Sequence, residues 1–253
     1  MIQAARDAGV ADRQCVFEVF TRSLPEGRRY GVFAGIGRIL DALESFRFEA
    51  EDLDFLRSTG QLTEDVLAYL ADYRFEGNID AYAEGELFFP GSPVVRVEGT
   101  FEQCVLLETL VLSILNHDSA IASVGSRMIQ AAAGRPCIEM GSRRVHEDAA
   151  VAASRAAAIV GFSSTSNLEA GRTYEIPVVG TSAHAFTLVF DTEAEAFQAQ
   201  VNSLGAHTSL LVDTFDISAA VESAVAIAGP DLGAVRIDSG ALGETAREVR
   251  AQL

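Results

Sequence analysis

IPVVGTSAHAF, residues 176–186, sets a short apolar run directly against a loop of small and polar residues that carries His184, one of only four histidines in the chain. A brief apolar run closed by turn residues reads as a buried strand. The same punctuation recurs on both sides of it. RPCIEMGSRR (135–144) opens with a short strand, and AIVGFSSTSN (158–167) is a second strand and loop. IPVVGTSAH is the third, TSLLVDTFD (208–216) the fourth and GAVRIDSGA (233–241) the fifth. An Ala-rich helix is expected over 146–158, another alanine-rich helix after the fourth strand, and LGETAREVRAQL (242–253) as a last helix. Strands that alternate with helices predict a parallel sheet, open or closed, and hence an α/β chain.

The first hundred residues follow a different pattern. QCVFEVFTR (14–22) alternates and is rich in β-branched and aromatic residues, as a strand is. GVFAGIGRILDALESF (31–46) reads as a glycine-rich turn feeding an amphipathic helix, with Ile36, Ile39, Leu40 and Leu43 on one face. LTEDVLAYLADY (62–73) predicts a short helix with Thr63 as its N-cap. NIDAYAEGELFFPGSPVVRVEGT (78–100) holds strand-like runs split by a turn cluster at 89–93. Residues 102–132 predict one long helix, apolar on most sides, of the kind that is buried or forms an interface.

Composition narrows the function classes. The chain has 253 residues, 49% of them hydrophobic, which is ample for a core. The net charge of -17 resists a polyanion, so a nucleic-acid role is not expected, while a few local arginines still suffice for a small anion. Cys15, Cys104 and Cys137 are an odd number with no CxxC spacing, and they read as reduced thiols, Cys137 as a buried strand residue. No apolar run reaches the about 18 residues of a membrane span, and the first residues lack a signal-peptide core. The expected location is the cytoplasm.

The polar residues gather where the strands end: Arg143 and Arg144; Ser166 and Asn167; Thr181, Ser182 and His184; Asp213 and Thr214; Asp238, Ser239 and Gly240. In a (β/α) barrel these are C-terminal strand ends, the face on which active sites are built. Taken singly, each has an ordinary structural role: a solvated arginine pair, a helix cap, a turn. Five in register point to a shared site for an anionic substrate together with a metal or ribose ligand. Guanidinium groups bind phosphate or carboxylate, carboxylates hold Mg²⁺ or ribose hydroxyls, and a histidine serves as base or nucleophile. His117, His146 and His207 are left outside this site, His146 as the start of a helix.

The ordered motifs GSRRVHEDAAVAASRAA, GFSSTSNLEAG, IPVVGTSAHAF, TSLLVDTFD and VRIDSG, with FEVFTRSLPEGRRYGVFAGIGRILDAL near the start, closely resemble nicotinate phosphoribosyltransferase in its actinobacterial form. The resemblance implies an α/β N-terminal domain (1–100), a long connecting helix (101–132) and a partial, irregular (β/α) barrel of the type II phosphoribosyltransferase kind (133–253, its first five βα units). It implies ligase and glycosyltransferase chemistry in NAD salvage. Nicotinate and phosphoribosyl pyrophosphate would give nicotinate mononucleotide and pyrophosphate, with ATP hydrolysed through a phosphohistidine and Mg²⁺ assisting, in a homodimer with an interface active site. Carried over, His184 matches the phosphorylated histidine and Arg143 the partner of the nicotinate carboxylate. Ser166 sits near the pyridine substituent, and Asp213 and Asp238 match carboxylates near ribose and Mg²⁺. Arg236 resembles an arginine near base and ribose, on the same face as Asp238. Thr181, Ser239 and Gly240 complete the substrate-binding set, and no residue is assigned as a direct metal ligand.

Three departures stand beside the resemblance. The family's early Asp-x-Tyr-x-Leu-Thr-Met stretch is reduced to Met1-Ile2-Gln3, Ala241 stands where DSGD has its second Asp, and the series stops after five βα units. A truncated product is the expectation. The alternative to an enzyme is an inactive homologue that dimerises with, or regulates, a full-length paralogue.

Overall fold

The computed structural model describes residues 1–253, and they form two units, Met1–Val179 and Gly180–Leu253. In the first unit, helix α1 (Ile2–Asp7) precedes β1 (Gln14–Val19) and β2 (Gly31–Val32). Helices α2 (Ile36–Ser45), α3 (Ala50–Ser58) and α4 (Glu64–Ala71) follow, then β3 (Asn78–Ala81), β4 (Leu87–Phe88) and β5 (Val95–Thr100). β5 is the centre of an antiparallel sheet ordered β1-β5-β3, with Phe17 and Ile79 both facing Val97 across the ladders. Alternation along β5 buries Val95 and Val97 against Phe33, Ile39, Tyr73, Leu107 and Val111.

The expected long helix is two helices. A break after α5 (Phe101–Cys104) precedes α6 (Glu108–Ala132), whose buried stripe runs Val111, Ile114, Leu115, Asp118, Ser119 and Ala122. Two buried hydroxyls on α6 do the work of a strand partner: Ser123 Oγ accepts the Val32 N–H at 2.8 Å and Ser119 Oγ the Ala34 N–H at 3.1 Å. Further on come β6 (Ile138–Glu139), a 3₁₀ turn (Gly141–Arg144), α7 (Glu147–Ile159), β7 (Ser164–Thr165) and α8 (Leu168–Tyr174). Alanines let α7 lie close to α6, and Gly125 leaves the room: a Cβ there would come within 2.9 Å of Val160. β6 and β7 pair in parallel, and the third expected strand contributes a parallel bridge, Val178 to Thr165. Because α7 packs on α6 and α8 on α7, the start of the expected barrel segment belongs to the first unit, and the units divide after Val179.

The second unit holds α9 (His184–Thr187), α10 (Glu193–Leu204), β8 (Ser209–Leu211), α11 (Ile217–Ala228), β9 (Ala234–Arg236) and α12 (Leu242–Gln252). β8 and β9 pair in parallel, Leu210 opposite Val235. Phe197, Leu210, Val212, Val221 and Val249 form the core. The turn into β9 requires glycine, because a Cβ on Gly233 would lie 2.0 Å from the His207 carbonyl oxygen. The α/β class and the parallel pairing of the βα units are as expected.

Local expectations are corrected in three places. Leu40 points outward, and Ile39 alone of its face is fully buried. Thr63 occupies the N-cap position of α4, but its hydroxyl donates to Gln3 Oε1 at 2.5 Å instead of capping. Cys137 precedes β6 and is half-buried, and all three cysteines are free thiols.

Candidate functional site

In the second unit, the ends of β8 and β9 bring four of the expected residues together, His184, Asp213, Asp238 and Ser239. Asp213 follows β8; its side chain is 1% exposed and its Oδ1 lies 3.1 Å from His184 Nε2. Asp213 Oδ2 accepts the Asp238 N–H at 2.8 Å and the Ser239 hydroxyl at 2.7 Å. Gly240 adopts φ 78°, a left-handed turn that directs the Asp-Ser-Gly loop toward this carboxylate. Burial alone would raise the Asp213 pKa, but the hydrogen bonds from Ser239, the Asp238 amide and His184 outweigh it and hold the carboxyl below its ordinary range. The His184 ring is 39% exposed, so it is anchored at one nitrogen and open to solvent.

The loop that carries His184 is tied down twice. Arg236 Nη1 donates to the Thr181 hydroxyl and, at 3.1 Å, to the Ser182 carbonyl, while its Nη2 donates to Asp238 Oδ1 at 2.6 Å. Arg236 and Asp238 therefore share a face, as strand alternation requires. On the other side the Ser182 hydroxyl donates to Gln200 Oε1. Gln200, 5% exposed, spends its amide on Thr208 Oγ1 at 2.7 Å and the Ser209 carbonyl at 2.9 Å. Glu193, on α10, is pushed up by burial and by the Asp213 and Asp216 carboxylates, and its Oε1 is buried without a partner.

Arg143 and Ser166 lie in the first unit. Arg143 is exposed on the 3₁₀ turn and makes no ion pair, so its guanidinium is free to take an anion. Ser166 is half-buried after β7, and its N–H donates to the Glu139 carbonyl at 2.9 Å. The two loops are joined next door: Asn167 Nδ2 donates to Ser142 Oγ at 3.1 Å. Asn167 also caps α8, accepting the Ala170 N–H at 2.9 Å, and His146 caps α7.

Sequence reasoning missed Gln200, Glu193 and Glu139. Each is a polar residue inside a helix or strand, and the only signal was polarity at a position that the 3.6- or 2-residue period assigns to the interior. No group of three or more His, Cys, Asp or Glu side chains converges to hold a metal. Both Asp213 oxygens and Asp238 Oδ1 are already engaged. These carboxylates do not form a cage for a resident Mg²⁺.

The family profile described as the nicotinate phosphoribosyltransferase (NAPRTase) N-terminal domain matches residues 1–116. Along its entire length the chain is 57% identical to nicotinate phosphoribosyltransferase pncB1 of Mycobacterium tuberculosis. The chain is related over its whole length to the nicotinate phosphoribosyltransferases. It spans 58% of that mycobacterial protein. The Bacillus subtilis nicotinate phosphoribosyltransferase is 36% identical over 97% of the chain, which covers 51% of that relative. The crystal structure of human nicotinic acid phosphoribosyltransferase superposes with a TM-score of 0.82 at 28% identity, over 99% of this chain and 62% of the human one. No helix is long and apolar enough to cross a membrane.

Proposed function

We propose that the chain acts in NAD salvage as an ATP-coupled nicotinate phosphoribosyltransferase, in a cytoplasmic homodimer. The observation that carries this reading is the hydrogen bond from His184 Nε2 to buried Asp213, made on a ring that stays open to solvent. Asp213 holds the Nε2–H tautomer and leaves the Nδ1 lone pair free. Nδ1 attacks the terminal phosphorus of ATP, the N–P bond forms, the bond to the bridging oxygen breaks and ADP leaves. The ring becomes cationic, and the Asp213 carboxylate at 3.1 Å stabilises it. This is the role of the carboxylate in a triad, to orient the imidazole and support its charge.

Transfer to nicotinate is a displacement at the anomeric carbon. The pyridine nitrogen, unprotonated at neutral pH, forms the new C–N bond as the C–O bond to pyrophosphate breaks, so no general base is required. The chain's part is orientation and charge neutralisation. Arg143 pairs with the nicotinate carboxylate and the Ser166 hydroxyl borders the pyridine. Asp238 takes the ribose hydroxyls, while Arg236 shapes the loop of Thr181 and Ser182. Ser239 and Gly240 form the turn that seats Asp213. Mg²⁺ would come with the pyrophosphate-bearing substrate and supply charge neutralisation there, and no residue of this chain is assigned to hold it. Hydrolysis of the phosphohistidine returns His184 and releases phosphate.

Pyrophosphate release from phosphoribosyl pyrophosphate, with ATP and Mg²⁺ present, tests this. Release that depends on nicotinate supports the reading. A folded chain that releases none is the non-catalytic homologue, whose partner would be a full-length paralogue.

A further inference from the structure

We propose that Glu139 is a positioning residue that sets both loops of the nicotinate pocket, a role that rests on Arg143 and Ser166 being its ligands. Glu139 is the last residue of β6, and it is 9% exposed. No cation pairs with it. Instead three donors from three separate elements converge on its carboxylate. The Gly141 N–H, at the head of the 3₁₀ turn, donates to Oε1. The Ser154 hydroxyl from α7 and the Thr165 hydroxyl from β7 each donate to Oε2 at 2.7 Å. Thr165 Oγ1 in turn accepts the Asn167 N–H at 3.0 Å, and the Glu139 carbonyl accepts the Ser166 N–H at 2.9 Å. One residue therefore grips the loop of Arg143 at Gly141, two residues before the guanidinium, and the loop of Ser166 at the Thr165 hydroxyl and the Ser166 N–H, with Asn167 held in turn by Thr165.

A buried carboxylate without a cation is costly unless its lone pairs are filled, and an apolar residue of similar size would hold a core at less expense. What an apolar residue would not supply is direction. The hydrogen bonds fix the two loops relative to α7 and to each other, and the Asn167–Ser142 bond closes the ring. Gly141 belongs to the same device: a Cβ there would lie 2.8 Å from Glu139 Oε1, so a side chain at 141 would drive the carboxylate from its donors.

Glu139→Gln keeps the volume and puts an NH₂ where a donor already points. The test is amide exchange and nicotinate titration on the full chain, for wild type, Glu139→Gln and Arg143→Ala. The expected result is about tenfold faster exchange at 140–145 and at 164–167 in Glu139→Gln, with 209–213 unchanged, and about tenfold weaker nicotinate binding. Arg143→Ala should lose nicotinate without loosening 164–167. Wild-type exchange in either loop of Glu139→Gln overturns the proposal. So does wild-type nicotinate affinity in Glu139→Gln when Arg143→Ala has lost it. Failure of wild type to bind nicotinate, or undiminished binding by Arg143→Ala, removes Arg143 from the pocket and Glu139's role there with it. If Glu139→Gln does not fold, Gly141→Ala displaces the same carboxylate and is judged by the same two measurements.

Discussion

Replacing Asp213 by Asn separates the chemistry of the His184 site from its shape. The carboxylate accepts from His184, the Asp238 N–H and the Ser239 hydroxyl at 3.1, 2.8 and 2.7 Å. An Asn has one acceptor oxygen. The two donors on the Asp238–Ser239 side claim it, which turns the NH₂ toward His184 Nε2. The imidazole must then accept at Nε2 and carry its proton on Nδ1, the nitrogen that has to attack ATP. In a catalytic triad the same change of tautomer lowers turnover by about 10⁴-fold. Phosphorylation of His184 should therefore fall by about 10³- to 10⁴-fold while the site keeps its outline. Stability should fall as well. Hydrogen bonds to a charged group are worth about 1.5–3 kcal/mol and neutral ones about 0.5–1.5, so three weakened bonds cost about 3 kcal/mol at neutral pH.

The pH dependence supplies a second readout. The folded-state pKa of Asp213 is depressed, so its ionised form stabilises the fold above the unfolded-state pKa, about 3.9. That contribution is lost as pH falls through the folded value. Urea unfolding of wild type and Asp213→Asn, at neutral pH and below pH 4, should show a difference that shrinks in acid. Equal phosphorylation of the two proteins would refute the tautomer argument. A stability difference that does not shrink in acid would refute the electrostatic one.

Two further substitutions test the frame around the site. Ala241 is the N-cap of α12 and offers no side-chain acceptor, so Ala241→Asp should stabilise the chain by about 1 kcal/mol, read as a higher Tm. Gly233→Ala places a Cβ 2.0 Å from the His207 carbonyl oxygen, a backbone atom that cannot swing away, and should cost about 1–3 kcal/mol in urea unfolding.

The parts of this molecule that were legible in the sequence share one property: the residue and its signal coincide. Apolar runs closed by polar loops marked the strands, and His184, Asp213, Asp238 and Ser239 stood at their ends, where the structure joins them through Asp213. Arg236 was named by the family resemblance, and its sharing of a face with Asp238 followed from strand alternation. Tertiary choices were not legible. α3 buries none of its residues, so it carries no apolar stripe to read, and Leu40 is turned out because neighbouring Ile39 takes the core position. Glu139 and Gln200 look like strand or helix polar residues until their donors and acceptors arrive from elements up to 26 residues away. The unit boundary after Val179 is set by the packing of α7 on α6, which no local pattern announces.

The most direct test of the central claim is transfer of the terminal phosphate of radiolabelled ATP to wild type and to His184→Ala, with the fold of each checked by circular dichroism. The account predicts acid-labile label on wild type, carried on Nδ1, and none on the folded mutant. Equal labelling of the two proteins, or a folded wild type that takes no label, would contradict it.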